Sequence, residues 1–206
     1  LSKKQIITRV YLYNKSLIKE VVCNEINRGG QVFVVDKSVN NVMSSFSFIS
    51  EAFPLLRVAF LYASLNFDII KKTMVDFRSK KIDILVSTTI IESGIDVGGA
   101  NTIIINNADF FGLSQLYQLR GRVGRSSVQA HAFLFVNKKQ TFSATSRLKS
   151  LIKNQSLGSG YNIAFDDLRL RGAGSLFGYK QSGGSGVGFE YYSNLVSRPF
   201  SFYNKQ

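Results

Sequence analysis

Two arginines three positions apart, Arg122 and Arg125, stand in the run Gln118–Arg125, QLRGRVGR. Glycines at 121 and 124 let the backbone turn tightly, and guanidiniums at that spacing can project the same way. A pair held so is a phosphate clamp, because each planar fork can take two oxygens. Facing a nucleotide bound by another domain, it would neutralise charge developing on a transferring γ-phosphoryl group. The plainer alternative is an Arg-rich capping turn at the surface.

A second run, Ser87–Asp96 (STTIIESGID), directly follows an apolar stretch, Ile82–Val86. At the C-terminal edge of a parallel sheet such a run sits where ligands bind. Thr88 and Thr89 offer hydroxyls and backbone N–H groups to a phosphate. Glu92 and Asp96 can hold hydroxyls or position an arginine, and Gly94 permits close backbone approach. A Thr pair followed by an acid also caps helices, so this signal alone leaves both readings open. A third run, Asp166–Gly183 (DDLRLRGAGSLFGYKQSG), sets Arg169 and Arg171 beside a Gly-x-Gly turn, with Lys180 and Gln181 beyond. It can transmit a movement or touch a phosphate backbone.

What is missing narrows the chemistry. No GxxxxGK[ST] occurs, so the chain carries no phosphate-binding loop for ATP. No paired-carboxylate or Cys/His spacing suggests a metal site. The one histidine, His131, opens an apolar strand and reads as structural. An α/β enzyme for a small substrate would need a general base, a nucleophile or a metal set, and none is legible. With the arginine pair but without the loop, the sequence describes half of an ATPase site.

The elements that must position these residues follow from periodicity. Apolar strands are expected at residues 6–13, Gln31–Val35, Arg57–Leu61, Ile82–Val86, Thr102–Ile105 and Ala132–Val136. Between them, helical stripes run over Asn14–Asn27, Asn40–Phe53 and Asn66–Arg78, and Leu113–Tyr117 can be helical. Repeated βα units with short loops predict an open, mostly parallel α/β sheet flanked by helices. Ser143–Asn154 can form a further helix. From Leu157 to Gly188 glycine dominates and strand formers are few, which predicts a small C-terminal appendage of helices and turns.

The chain has 206 residues, 45% of them hydrophobic, with 17 Phe and 9 Tyr, so wholesale disorder is excluded. A single cysteine, Cys23, makes no internal disulfide, and an intracellular chain is expected. No apolar run of 18 residues is present, so no membrane partner is expected. The start, Leu1–Lys4, has neither an initiator Met nor an apolar signal region and reads as the middle of a longer product. The formal charge is +13, and no acidic residue falls between Asp109 and Asp166 while Arg120, Arg122, Arg125, Lys138, Lys139, Arg147, Lys149 and Lys153 do. That one-sign interval favours a polyanionic partner, or is a solubilising face.

Taken in order, these runs resemble superfamily 2 helicases and translocases, specifically the second RecA-like domain of the transcription-repair coupling factor family. Leu85–Ser126 resembles that family's motifs V and VI. The segment DLRLRGAGSLFG with Gln181 resembles the helical hairpin motif shared with RecG-type branch-migrating helicases. Glu92-Ser93-Gly94-Ile95-Asp96, Tyr117 before Gln118, and Arg171-Gly172-Ala173-Gly174 favour the coupling factors over RecG, where EVGVD, HQLRGRVGR and RGPG are usual.

The resemblance implies a RecA-like domain over residues 1–140, a helical hairpin coupling element over 141–196 and a tail over 197–206. It implies that Arg122 and Arg125 are arginine fingers for ATP held by a first motor domain, together with Mg2+. Glu92, Gly94, Asp96, Gln118 and Gly121 would lie on the nucleotide side of the cleft. Thr88 and Thr89 would meet the DNA backbone, and Arg171 and Gln181 would be coupling residues. The implied partners are double-stranded DNA, the first RecA-like domain, RNA polymerase and excision-repair proteins. The implied place is a bacterial-type cytoplasm, associated with the nucleoid, or an organelle. A RecG-like domain and a non-enzymatic basic nucleic-acid-binding module are the alternatives.

The chain departs from the family at several points. Asp36-Lys37-Ser38 stands where His-Asn-Arg is common, Tyr62-Ala63-Ser64-Leu65 where His-Gly-Gln-Met is usual, and Gly98-Gly99 where Pro-Asn is usual. Asn107 and Phe110 occupy positions where basic residues are common, and Gly184-Ser185-Gly186 lacks the usual larger side chains. These changes predict an altered grip on DNA with nucleotide sensing retained.

Overall fold

The structure is a computed structural model, and it describes residues 5–89, 100–124, 128–137, 141–154 and 160–171. Its strands are β1 (Ile7–Leu12), β2 (Val32–Val35), β3 (Val58–Leu61), β4 (Ile84–Ser87), β5 (Thr102–Ile105) and β6 (His131–Val136). All the described pairings are parallel, in the order β1-β6-β5-β2-β4-β3. The expected parallel α/β sheet is therefore present. β2, β4 and β5 are buried at every position, which is why each reads as an uninterrupted apolar run and not as an alternating one.

Six helices accompany the described strands: α1 (Lys15–Asn27), α2 (Val39–Ala52), α3 (Phe67–Arg78), α4 (Leu113–Arg120), α5 (Phe142–Lys153) and α6 (Gly160–Arg171). Alternate residues of one strand feed opposite cores. Val32 and Val34 pack with Ile18, Val21 and Val22 of α1 and with Val42 and Ile49 of α2. Phe33 and Val35 join Met74 and Phe77 of α3 and Leu113, Leu116 and Leu119 of α4. Leu148 and Leu151 of α5 and Ile163 of α6 belong to this second core. The α5–α6 pair thus shares the hydrophobic interior of the sheet.

Local chemistry fixes the helix starts. Asn14 accepts from the backbone of Ser16 and Leu17 at 2.9 and 3.2 Å, and Thr141 accepts from Ala144 at 3.1 Å, so orphan N–H groups are met before each apolar stripe begins. Element ends differ from the sequence expectation by a residue or two. The larger extension is in α4, which continues through Arg120, so Gln118 is inside the helix.

Connections divide at the middle of the sheet. β2 leads through α2 toward the β3 edge, whereas β5 leads through α4 toward the β1 edge, and β2 and β5 are neighbours. Their C-terminal ends therefore frame the topological switch point, where open α/β sheets form a crevice. Asp36 follows β2 there, and Asn106 follows β5.

Candidate nucleotide and nucleic-acid interface

Leu113, Leu116 and Leu119 hold α4 in the core with no exposure, leaving Gln118 on the exposed side. The helix ends as the sequence turns through Gly121, Arg122, Val123 and Gly124. Gly124 has φ +79°, and a Cβ there would stand 2.8 Å from the Cβ of Ala130 and 3.3 Å from Ile6 Cγ1. Both the conformation and the close approach to β1's entry require glycine. Gly121 is different, because its backbone is right-handed helical at φ −68°. The chain turns at both glycines, with Arg122 N–H bonded to the Leu119 carbonyl at 3.0 Å, but only Gly124 uses the left-handed backbone. Val123 is fully buried and anchors this turn, which leaves the Arg122 side chain half-buried at the helix end.

Arg120, one step earlier, is not a surface cation. It is buried, donates to the Asn154 carbonyl at 3.2 Å and lies 4.8 Å from the Tyr117 ring centre. Loss of hydration holds its guanidinium below the usual arginine range. Of the cations in the one-sign interval, this one is committed to joining α4 and α5.

α6 is tied to α4 by a second polar contact. Ser114 Oγ donates to Asp167 Oδ2 at 2.6 Å, and Asp167 is buried. Asp166, its neighbour, accepts from Asn154 Nδ2 at 3.1 Å and from Ser150 Oγ, both on the α5 side. Gly160 begins α6 against Tyr117, where an added Cβ would stand 3.2 Å from the phenol oxygen. One acid thus faces α4 and the next faces α5, so the hairpin grips the helix that leads into Arg122. Arg171 occupies the last position of α6.

Thr88 and Thr89 directly follow β4, half-buried at the C-terminal edge, and the Thr88 N–H is bonded to the Leu61 carbonyl at 3.2 Å. Arg122 lies toward the opposite edge, because α4 leaves the C-terminal end of β5 and leads to the start of β6. The structure therefore separates the threonine pair from the arginine by the length of the strands. Glu92, Gly94, Asp96, Arg125 and Gln181 lie outside the described residues, as do Gly98-Gly99, 184–186 and the tail.

The C-terminal edge also holds residues that motif spacing does not reveal. Asp36 is 1% exposed and accepts from Asn106 Nδ2 at 3.2 Å and from Ser45. Burial pushes its carboxyl up to about 6, against the opposing pull of those two donors. Lys37, the next residue, lies 3.4 Å from the ring centre of Phe110, so the cation of the departed His-Asn-Arg position is held on an aromatic face. Asn107 adopts the left-handed region at φ 51°, which asparagine tolerates. At the other edge, Glu25 is buried against Arg28 and Thr102. Its position on the apolar stripe of α1, four after Val21, was the available signal. His131, beside it, is held below the usual histidine range by burial and by Arg28 and Arg9.

No described helix is long and apolar enough to cross a membrane. Residues 13–127 match the family described as helicase conserved C-terminal domain. The chain is 42% identical over 197 residues to the transcription-repair-coupling factor of Myxococcus xanthus, covering 94% of this chain and 16% of that protein. It is 42% identical over 192 residues to the Escherichia coli K12 protein of the same name, covering 92% and 17%. The Buchnera aphidicola protein of that name matches at 41% over 192 residues, covering 92% and 24%. The chain thus spans between about a sixth and a quarter of these relatives. Among solved structures, RecG bound to a three-way DNA junction aligns with TM-score 0.74 and 34% identity, over 94% of this chain and 26% of that one. The Mycobacterium smegmatis helicase Lhr shares the fold, with TM-score 0.58 and 17% identity over 74% of this chain and 22% of that one.

Proposed function

The chain belongs to the helicase conserved C-terminal domain family, and from that premise we propose that it is the second motor domain of an ATP-dependent double-stranded DNA translocase of the transcription-repair coupling type. The observation that carries the reading is the grip of α5 and α6 on α4, through Ser114–Asp167 and Arg120–Asn154. A helix leading into Arg122, the arginine that faces the nucleotide, is thereby joined to a hairpin that can move on DNA. Residues 1–140 form the motor unit on this reading, and 141–196 the coupling element.

Arg122 and Arg125 reach the ATP that a first RecA-like domain holds, and their guanidiniums meet charge developing on the transferring phosphoryl group. Half-burial of Arg122 suits this task, because a partly desolvated guanidinium acts more strongly on a phosphate than a hydrated one. On the same reading Gln118, on the exposed side of α4, and the Gly121 backbone serve the nucleotide together with Glu92, Gly94 and Asp96. Mg2+ accompanying the nucleotide, held mainly by the first motor domain, would further neutralise its phosphate oxygens. Among the described residues no group of three or more His, Cys, Asp or Glu side chains could hold a metal ion. Thr88 and Thr89 meet the DNA backbone at the opposite edge, and Arg171 and Gln181 carry the hairpin's stroke. In the full protein the motor pushes stalled RNA polymerase and serves excision repair in the cytoplasm.

The test joins this chain to a first motor domain, by fusion or in trans, and measures ATP turnover with duplex DNA. The chain alone should turn over at background rate. Replacing Arg122 and Arg125 by Ala in the joined protein should lower kcat roughly 10³-fold. Unchanged turnover refutes the finger role, and salt-dependent DNA binding without recovered ATPase favours a plain basic binding module.

A further inference from the structure

At the switch point between β2 and β5 lies a cavity of about 300 Å³, bordered by Tyr13, Lys15, Asp36, Phe48, Asn106 and Asn137 among others. Two of its lining side chains, Asp36 and Asn106, carry acceptor oxygens. Asn106 is 3% exposed, and its Nδ2 donates to Asp36 at 3.2 Å and to Ser45 at 3.3 Å, so the amide orientation is fixed. That leaves Asn106 Oδ1 buried with no donor. Beside it the Asp36 carboxylate is in no ion pair among the described residues. A buried acceptor without a donor is costly unless something that enters the cavity supplies one.

We propose that this crevice binds a guanine base, whose adjacent N1–H and N2–H groups meet the Asp36 carboxylate and the Asn106 amide oxygen. The choice of base follows from donor patterns. Adenine and cytosine present a ring-nitrogen acceptor at the position that would face the carboxylate, and uracil and thymine flank their one N–H with two carbonyls. Guanine has two neighbouring donors. A guanidinium ligand has them too, but it would bring a positive charge to a chain of formal charge +13 and to a wall that already contains Lys15. A neutral base avoids that repulsion and leaves Lys15 for an attached phosphate.

The walls fit the same ligand. Tyr13 and Phe48 bring aromatic rings to the cavity, and a base presents a flat face to either. Lys15 Nζ is held 4.9 Å from the Phe48 ring centre, at the rim where a ribose phosphate emerges. The site is independent of the ATP reading, because Arg122 lies toward the other edge of the sheet. The guanine comes either from a free nucleotide or from an unpaired residue of a nucleic-acid strand, and both present the same edge.

Equilibrium dialysis on the 206-residue chain tests the assignment with labelled GMP, AMP, IMP and XMP, and with single-stranded oligonucleotides in which guanine is kept or replaced by hypoxanthine. GMP, or the guanine oligonucleotide, should bind about tenfold or more tightly than its analogue lacking the N2 amine. Free GMP binding identifies the nucleotide source, and oligonucleotide discrimination without GMP binding identifies the strand. Asp36→Asn should lose guanine, since a neutral amide replaces the carboxylate that accepts from the base N1–H, and XMP should bind neither form, because its C2 oxygen meets the Asn106 amide oxygen. Lys15→Ala, at an exposed position that leaves folding intact, should weaken GMP but not guanosine if the nucleotide is the source. Equal binding of guanine and hypoxanthine forms, retained guanine preference in Asp36→Asn, or binding of neither GMP nor the oligonucleotide overturns the proposal.

Discussion

Replacing Asp36 by Asn should stabilise the protein at alkaline pH and lose that advantage in acid. The Asp36 carboxyl is pushed from 3.8 to about 6 by burial, so the folded state holds its proton to a higher pH than the unfolded chain does. Between those values the native protein binds more protons than the unfolded one, and stability falls as pH rises through the window. The full penalty is present above 6 and amounts to about 3 kcal/mol. An asparagine avoids it while still accepting from Asn106 Nδ2, and Ser45 can reverse its hydroxyl to accept from the new amide. Imperfect replacement of those contacts reduces the expected gain to about 1–3 kcal/mol at pH 8, or roughly 2–10 °C in Tm for a chain of this length. Thermal unfolding followed by circular dichroism from pH 4 to pH 8.5 measures it. A variant no more stable than the parent at pH 8, or a gap that does not close toward pH 4, refutes the argument that the buried carboxylate is a standing cost.

Gly124→Ala should destabilise the chain by about 1–3 kcal/mol through its positive φ and the approach of Ala130 and Ile6, whereas Gly121→Ala should change stability by less than about 1 kcal/mol; paired denaturant titrations decide. Ser114→Ala leaves the buried Asp167 carboxylate one donor short and should cost about 1–3 kcal/mol. In the joined two-domain protein it should also lower DNA translocation more than ATP turnover. Parallel loss of both rates would mean that the Ser114–Asp167 contact supports folding without coupling.

Much of the sheet was legible because strands buried on both faces must be apolar throughout, and the stretches 32–35, 84–87 and 102–105 are nearly so. Strand order was not, because the crossovers that set β2 beside β5 are decided by packing between elements far apart in the chain. The arginine turn was readable from its glycines, yet only the structure distinguishes Gly124, which must be glycine, from Gly121, which has an ordinary helical backbone. Arg120 looked like one more surface cation because charge counting cannot see that α5 folds over it. Asp36 and Asn106 stand 70 residues apart, and no local period brings two such residues together. The threonine pair's place after β4 was expected from the apolar run before it.

The tether between α4 and the hairpin also has a mechanical consequence. Twelve helical residues, as in α6, make a rigid arm of about 18 Å. Tyr117 meets it at Gly160 and Ser114 meets it at Asp167, so α6 is fixed to α4 near both ends. The part beyond the last tether, four residues or about 6 Å, adds only about 1 Å for a tilt of about 10°, so the whole helix travels with α4 as one body.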